Sequence, residues 1–212
     1  MARVAQVTGK SDVPASHAHV VDGVIQVFGN VRGPFSILLH SPRLAERILP
    51  LVTFFRDESI VEARLRSVAI LTAVREREAA YVWAAQVGAA RRNGVREEVI
   101  DLLRTKGDPG KLSPEEREIV TYVRQLMRTN RVDQATFDAL EKRWGVPWLV
   151  ELTAAANYFA LLSGVVNAFG RHGYGRSEPR LAWPGHRLQG RSMSSASLRR
   201  ERLSAHRCHK QF

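Results

Sequence analysis

The run Leu152-Thr-Ala-Ala-Ala-Asn-Tyr-Phe-Ala-Leu-Leu-Ser-Gly-Val-Val-Asn-Ala-Phe-Gly170 carries no charged side chain over 19 residues, and the fold turns on how it is read. Its length approaches that of a membrane-spanning helix. However, Thr153, Asn157, Ser163, Gly164 and Asn167 punctuate it, and no basic cluster adjoins it, whereas spanning helices carry interfacial anchors. A helix that is apolar on most sides is also what a bundle centre or a subunit interface requires. We therefore read it as a buried helix opened by Pro147, with no membrane partner. Glu151 in its first turn is placed to serve the helix dipole. Asn157 and Tyr158 suit a pocket or an interface equally.

Upstream of that run the chain reads as successive helices. Ser41-Pro42 is a capping residue followed by proline at the first helical position, and Leu44, Ile48, Leu51 and Phe55 form one apolar stripe. Pro50 lies inside the stripe and predicts a kink or break. Ser59 with Glu62 reads as a capping box opening a second helix through Leu65, Val68 and Thr72. A third runs from Glu78 to Asn93 and stops at Gly94. A short helix spans Glu97–Arg104, and Lys106–Gly110 is a loop. Ser113-Pro114-Glu115-Glu116 combines cap, proline and capping box ahead of Val120, Val123 and Met127. Asp133 caps another helix, ending near Gly145. Neither alternating strands nor a repeat period is present. The class is all-α, with six or seven helices across residues 41–170.

Either side of this body the composition changes. Residues 1–40 are interrupted by Gly23, Gly29, Gly33 and Pro34 and read as an irregular arm with short strands or turns. Residues 171–212 are rich in Arg, Ser, His and Gly without apolar period, so a disordered tail is predicted. The net charge of +11 sits mostly there: 22 Lys+Arg oppose 19 Asp+Glu up to Gly170, and 10 oppose 2 beyond it. Of the tail's His172, His186, His206 and His209, only the last two cluster, with Cys208, too irregularly for a structural zinc site. One cysteine in 212 residues excludes a disulfide framework and a CxxC redox pair within the chain. A cytoplasmic setting is the expectation, since Met1 to Pro14 holds no continuous apolar core of a secretory signal.

Standard catalytic motifs are absent: there is no GxGxxG, Walker A, GxSxG or HExxH. Three histidines (His17, His19, His40) lie in the arm, and the helices of the body contain neither His nor Cys. The usual neutral-pH acid/base group and the usual soft nucleophile are missing there.

Five ordered segments carry a resemblance. They are Ser41-Pro-Arg-Leu-Ala-Glu46; Arg64-Leu-Arg-Ser-Val-Ala-Ile-Leu71; Tyr81-Val-Trp-Ala-Ala-Gln86 with Ala90-Arg-Arg-Asn-Gly94; Leu112-Ser-Pro-Glu-Glu-Arg-Glu118; and Phe137 followed by Trp144-Gly-Val-Pro-Trp-Leu-Val-Glu-Leu152. Together the chain from about Gly29 to Gly170 resembles the carboxymuconolactone decarboxylase family, in the superfamily of alkylhydroperoxidase D-like proteins. The resemblance implies that fold and a homo-oligomer, with Leu152–Gly170 and Ala79–Ala90 as contact surfaces. In the redox branch of that superfamily an upstream Glu precedes a Cys-x-x-Cys-x-x-x-His run; the decarboxylase-like branch shows Glu-Trp-x-x-His. Anchored on Gly94, the His position falls on Gln86. The second Cys (or the Glu) then falls on Val82, the first Cys on Ala79, and the upstream Glu on Ser67. These helix positions share one face, yet every proton-carrying or redox member is replaced.

A dithiol peroxidase is therefore not expected. A lyase or isomerase step on an anionic, lactone-like substrate, without metal or organic cofactor, remains open. Arg64, Arg66 and Arg75 are candidates for the substrate anion, and they equally suit a solvated face pairing with Glu62, Glu76 and Glu78. Tyr81 and Ser67 are candidate proton donors, and Gln86 a substrate-orienting amide. Trp83 joins the pocket positions, although its spacing from Ala80 and Val87 also suits the core. The alternative function is a catalytically silent oligomeric scaffold whose Arg-rich tail binds nucleic acid or another polyanion.

Overall fold

The structure, a computed structural model, describes residues 3–170. The basic tail, with Cys208 and its four histidines, lies outside the described residues. Among the described residues nine α-helices follow one another: α1 (Ala18–Phe28), α2 (Phe35–Leu38), α3 (Pro42–Thr53), α4 (Ala63–Glu76), α5 (Ala80–Arg92), α6 (Glu97–Arg104), α7 (Pro114–Thr129), α8 (Gln134–Trp144) and α9 (Val146–Ala168). Seven belong to residues 41–170, and no strand occurs among the described residues.

α4 is the axis of the bundle. From Leu65 to Arg75 every residue is buried, because α5, α7 and α9 surround it. α9 is long and apolar enough to cross a membrane by length and composition. It buries Trp148, Leu149, Leu152, Ala155, Ala156, Tyr158, Leu162, Ser163 and Val166. Val150 and Leu161 stay exposed.

The helix caps follow local chemistry where nothing else competes. Ser113 Oγ accepts the Glu116 N–H at 3.4 Å while Glu116 Oε2 accepts the Ser113 N–H at 3.2 Å, the reciprocal pair that opens α7. Asp133 Oδ1 accepts the Thr136 N–H at 2.8 Å and opens α8.

Three local expectations are corrected. The N-terminal arm is more ordered than its glycines suggest. Val20, Val21 and Val24 on α1 pack in one cluster with Phe35, Leu38, Ala155, Tyr158 and Leu162, and this burial offsets the cost of Gly23 inside the helix. Only at Gly29 (φ +77°) does α1 stop. Pro50 neither ends α3 nor breaks it; the helix continues to Thr53 and widens into a π turn over Phe54–Glu58. The helix expected from Ser59 starts four residues later. Glu151 Oε2 accepts the Ile60 N–H at 2.9 Å and Ser59 Oγ accepts that of Val61 at 3.2 Å, which holds this segment out of the helix. Glu151 thus serves a tertiary tie, and because α9 begins at Val146 it stands beyond the first turn, which holds no acidic residue; this corrects the helix-dipole role expected for it.

One buried ion network joins α4 to α7. The Glu76 carboxylate, 6% exposed, accepts Arg128 Nε and Nη2 at 2.9 and 2.8 Å, with Arg124 Nε at 3.6 Å and Lys106 Nζ at 3.8 Å. Burial pushes its pKa up, but Arg128, Lys106 and Arg124 together outweigh burial and hold it below the ordinary 4.5. The folded chain therefore binds this proton less readily than the unfolded chain. Its stabilisation is complete above pH 4.5 and is lost as pH falls through the depressed folded value. A Glu76→Gln chain is expected to be less stable near neutrality and to show a shallower loss of stability on acidification. Urea midpoints measured across the acid range check this; parallel pH profiles for the two proteins would refute it.

Candidate functional site

α4 and α5 form an antiparallel hairpin whose open end is tied by side chains. Asn93 Nδ2 donates to Ser67 Oγ at 2.9 Å, and Ser67 Oγ donates to the Ala63 carbonyl at 2.8 Å. Against one face of this hairpin lie the end of α1, the Gly29–Pro34 loop, the end of α3 with its π turn, and α9. Between them is an open cavity of about 610 Å³, within the range of small-molecule sites.

On α5 the lining residues are Tyr81, Val82, Ala84, Ala85, Gln86, Ala89, Arg92 and Asn93, one broad helical face. α4 contributes Ala63, Arg66, Ser67 and Ile70. The other walls are mostly apolar, with Val27, Phe28 and Phe35 on one side, Val52 and Phe55 on another and Phe159 and Leu162 on the third, but Arg32 and Arg56 also line them. At the loop end the backbone of Gly33 presses on Tyr81. A Cβ there would lie 2.8 Å from the ring's Cε1 and 3.1 Å from its hydroxyl oxygen, and φ is +64°.

The cavity brings together Ser67, Tyr81, Val82, Gln86 and Arg66 of the residues proposed from sequence. Ala79, Trp83, Arg64 and Arg75 do not line it. Ala79 is the N-cap of α5, with φ −92° and ψ 82°, so helical spacing does not carry it onto the face of Val82 and Gln86. Trp83 is 1% exposed in the core, and its Nε1 finds no acceptor among the described residues. On α4, Arg64 and Arg75 stand about 200° and 180° around the helix from Arg66. Arg64 pairs with Glu115 at 3.2 Å and Glu116 at 3.0 Å, while Arg75 Nε donates to the Arg104 carbonyl at 2.6 Å. Asn157 is exposed, and Tyr158 donates to the Ile48 carbonyl at 3.3 Å inside the core, where burial pushes its pKa up.

Sequence reasoning missed Arg32, Arg56, Arg92 and Asn93. The first lies in the arm read as irregular, and the others at helix ends, where facing direction is not readable from periodicity. With Arg66 the three arginines make four guanidiniums around one cavity, whose lining among the described residues holds no carboxylate, imidazole or thiol. Arg56 is engaged by Asp57 through bonds of 2.8–3.0 Å. Arg66 is buried and donates to the carbonyls of Val61 and Arg56. Burial lowers its pKa, against the raising influence of Glu151 and Asp57. Arg32 and Arg92 have no hydrogen bond or ion pair among the described residues, and neither does the Gln86 amide. Of the two hydroxyls lining the cavity, Ser67 and Tyr81, the Ser67 proton is committed to the Ala63 carbonyl.

No family model matches this sequence, and no curated protein matches it either. Solved structures do. An alkylhydroperoxidase core, an uncharacterized peroxidase-related protein from Ralstonia eutropha, superposes with TM-score 0.66 at 16% identity, over 82% of this chain and 93% of that one. A protein of unknown function from Agrobacterium tumefaciens superposes with TM-score 0.60 at 16% identity, over 68% of this chain and 100% of that one. The fold is that of the alkylhydroperoxidase D-like proteins.

Proposed function

We propose, from this shared fold and a cavity without thiol or imidazole, that the protein is a carboxymuconolactone decarboxylase-like lyase or isomerase for an anionic, lactone-like small molecule. The observation that carries the reading is the set of four arginines around a cavity lined by no acidic side chain among the described residues. In a partly desolvated site such donors bind a carboxylate and stabilise an enolate that develops beside it. Arg66 and Arg92 supply the charge and Gln86 orients the ring carbonyl; in the lyase step the bond from a ring carbon to its carboxyl group breaks, CO2 leaves, the electron pair enters the enolate, and water entering the open cavity returns a proton to that carbon. A dithiol peroxidase cycle needs two thiols, and this chain has one cysteine. The same reading takes the protein as a homo-oligomer, supported by exposed Val146, Val150 and Leu161 along α9.

The test is turnover of carboxylated lactones by the full chain, followed by ultraviolet absorbance. Arg92→Ala is expected to slow it about 100-fold, and Gln86→Ala to raise KM with a smaller effect on kcat. Absence of both turnover and calorimetric binding for a panel of such acids would overturn the reading.

A further inference from the structure

The cavity is not uniformly charged along its length. Its α5 face runs from Tyr81 to Asn93, about 18 Å at helical rise, and its two ends differ in kind. At one end the α5 terminus with Arg92 and Asn93 meets the start of α4, through the 2.9 Å bond to Ser67. Arg66 precedes Ser67 on α4, so its buried side chain and the exposed Arg92 line the cavity towards this end. The first turn of α4 points the same way, its N-cap Glu62 making no side-chain cap bond, and a helix N-terminus adds to an anion's attraction. The α5 carbonyls that would repel an anion are occupied: Ala89, Ala90 and Arg91 accept N–H bonds of 2.9–3.1 Å from Asn93, Val95 and Gly94. Asp57 and Glu151 act on Arg66, but Arg92 has no acidic partner among the described residues.

The other end is closed by Gly33 against Tyr81 and walled by Phe28, Pro34, Phe35 and Leu162, with Arg32 exposed on its rim. Between the ends the cavity is lined by Ala85, Ala89 and Ile70, with the Gln86 amide the polar group on α5 there. A compact, highly charged acid would fill one end and leave apolar walls wet. We infer that the ligand is an elongated amphipathic carboxylate, its acid group at Arg92 and Arg66 and its hydrocarbon or aryl body laid along α5 towards Tyr81. This rests on the small-molecule reading above and narrows it to acids, lactones among them, that carry an extended apolar body.

Calorimetric titration of the full chain with hexanoate, octanoate, decanoate and decan-1-ol, below their aggregation limits, tests it beside a compact carboxylated lactone. Affinity is expected to rise about fourfold per added methylene. Arg92→Ala is expected to weaken decanoate about tenfold or more while leaving decan-1-ol unchanged. Ala85→Trp, which obstructs the channel, is expected to abolish decanoate binding and spare the compact lactone; Ala89→Phe serves where that variant does not fold. Lactone binding without decanoate binding would sink the elongated ligand and leave the small-molecule site standing. Decanoate binding that ignores Arg92→Ala and both channel variants would mean adsorption elsewhere and also overturn the inference. Binding of neither acid would remove both readings.

Discussion

A Gly33→Ala chain is expected to lose about 3 kcal/mol of unfolding free energy and to bind cavity ligands more weakly. Two independent effects add. Gly33 sits at φ +64°, where an L side chain costs about 1–2 kcal/mol. The new methyl would also stand 2.8 Å from a carbon of the Tyr81 ring, so the ring or the loop must shift to admit it. Overpacking of this kind costs about 1–3 kcal/mol. Gly29→Ala is the matched control: its φ is +77° but nothing lies within 4 Å of the added carbon, so only the conformational cost of about 1 kcal/mol applies. Urea denaturation of the three proteins separates the contributions. Equal losses in the two variants would show that the loop does not press on Tyr81 and that this end of the cavity is open.

Replacing Glu116 by glutamine is expected to cost about 3 kcal/mol, although the two side chains are nearly isosteric. Glu116 is 1% exposed and accepts Arg64 Nη1 and Arg96 Nη2, both at 3.0 Å, besides the Ser113 N–H. Removing the charge leaves the guanidinium of Arg64, 29% exposed, facing an amide with one hydrogen-bond acceptor instead of two. The comparison is Glu118→Gln, which breaks the bidentate pair with Arg143 at 2.9 and 3.0 Å, where Arg143 is 41% exposed. Solvent screening limits that loss to about 0.5 kcal/mol. Thermal and urea unfolding that found the two variants equally destabilised would show that burial of Glu116 does not strengthen its pairs.

How far the site was legible follows from the same division between local and long-range physics. The arginines of α4 illustrate it. Arg64, Arg66 and Arg75 are chemically identical candidates, and helical spacing alone says that Arg66 points away from the other two. It does not say which direction holds the cavity. That depended on α9 and the arm packing on the Arg66 side, where Val24, Phe35 and Leu162 share one cluster. Ser67 shows a second limit. Its position was readable, but the bond to the Ala63 carbonyl that removes its proton from service is a matter of rotamer and neighbours.

The sequence by itself determined an all-α chain, the starts of α7 and α8, the span of α6, and a centre without histidine or cysteine, because caps, periodicity and composition act within a turn or two of helix. Tertiary structure alone decided that the arm becomes α1 and docks on α9, that α4 begins at Ala63 instead of Ser59, and that Arg32, Arg56, Arg66 and Arg92 surround one cavity. Those outcomes depend on burial and pairing between residues more than 130 positions apart, such as Val24 and Ala155 in one cluster, and no local pattern encodes which distant face a helix will meet.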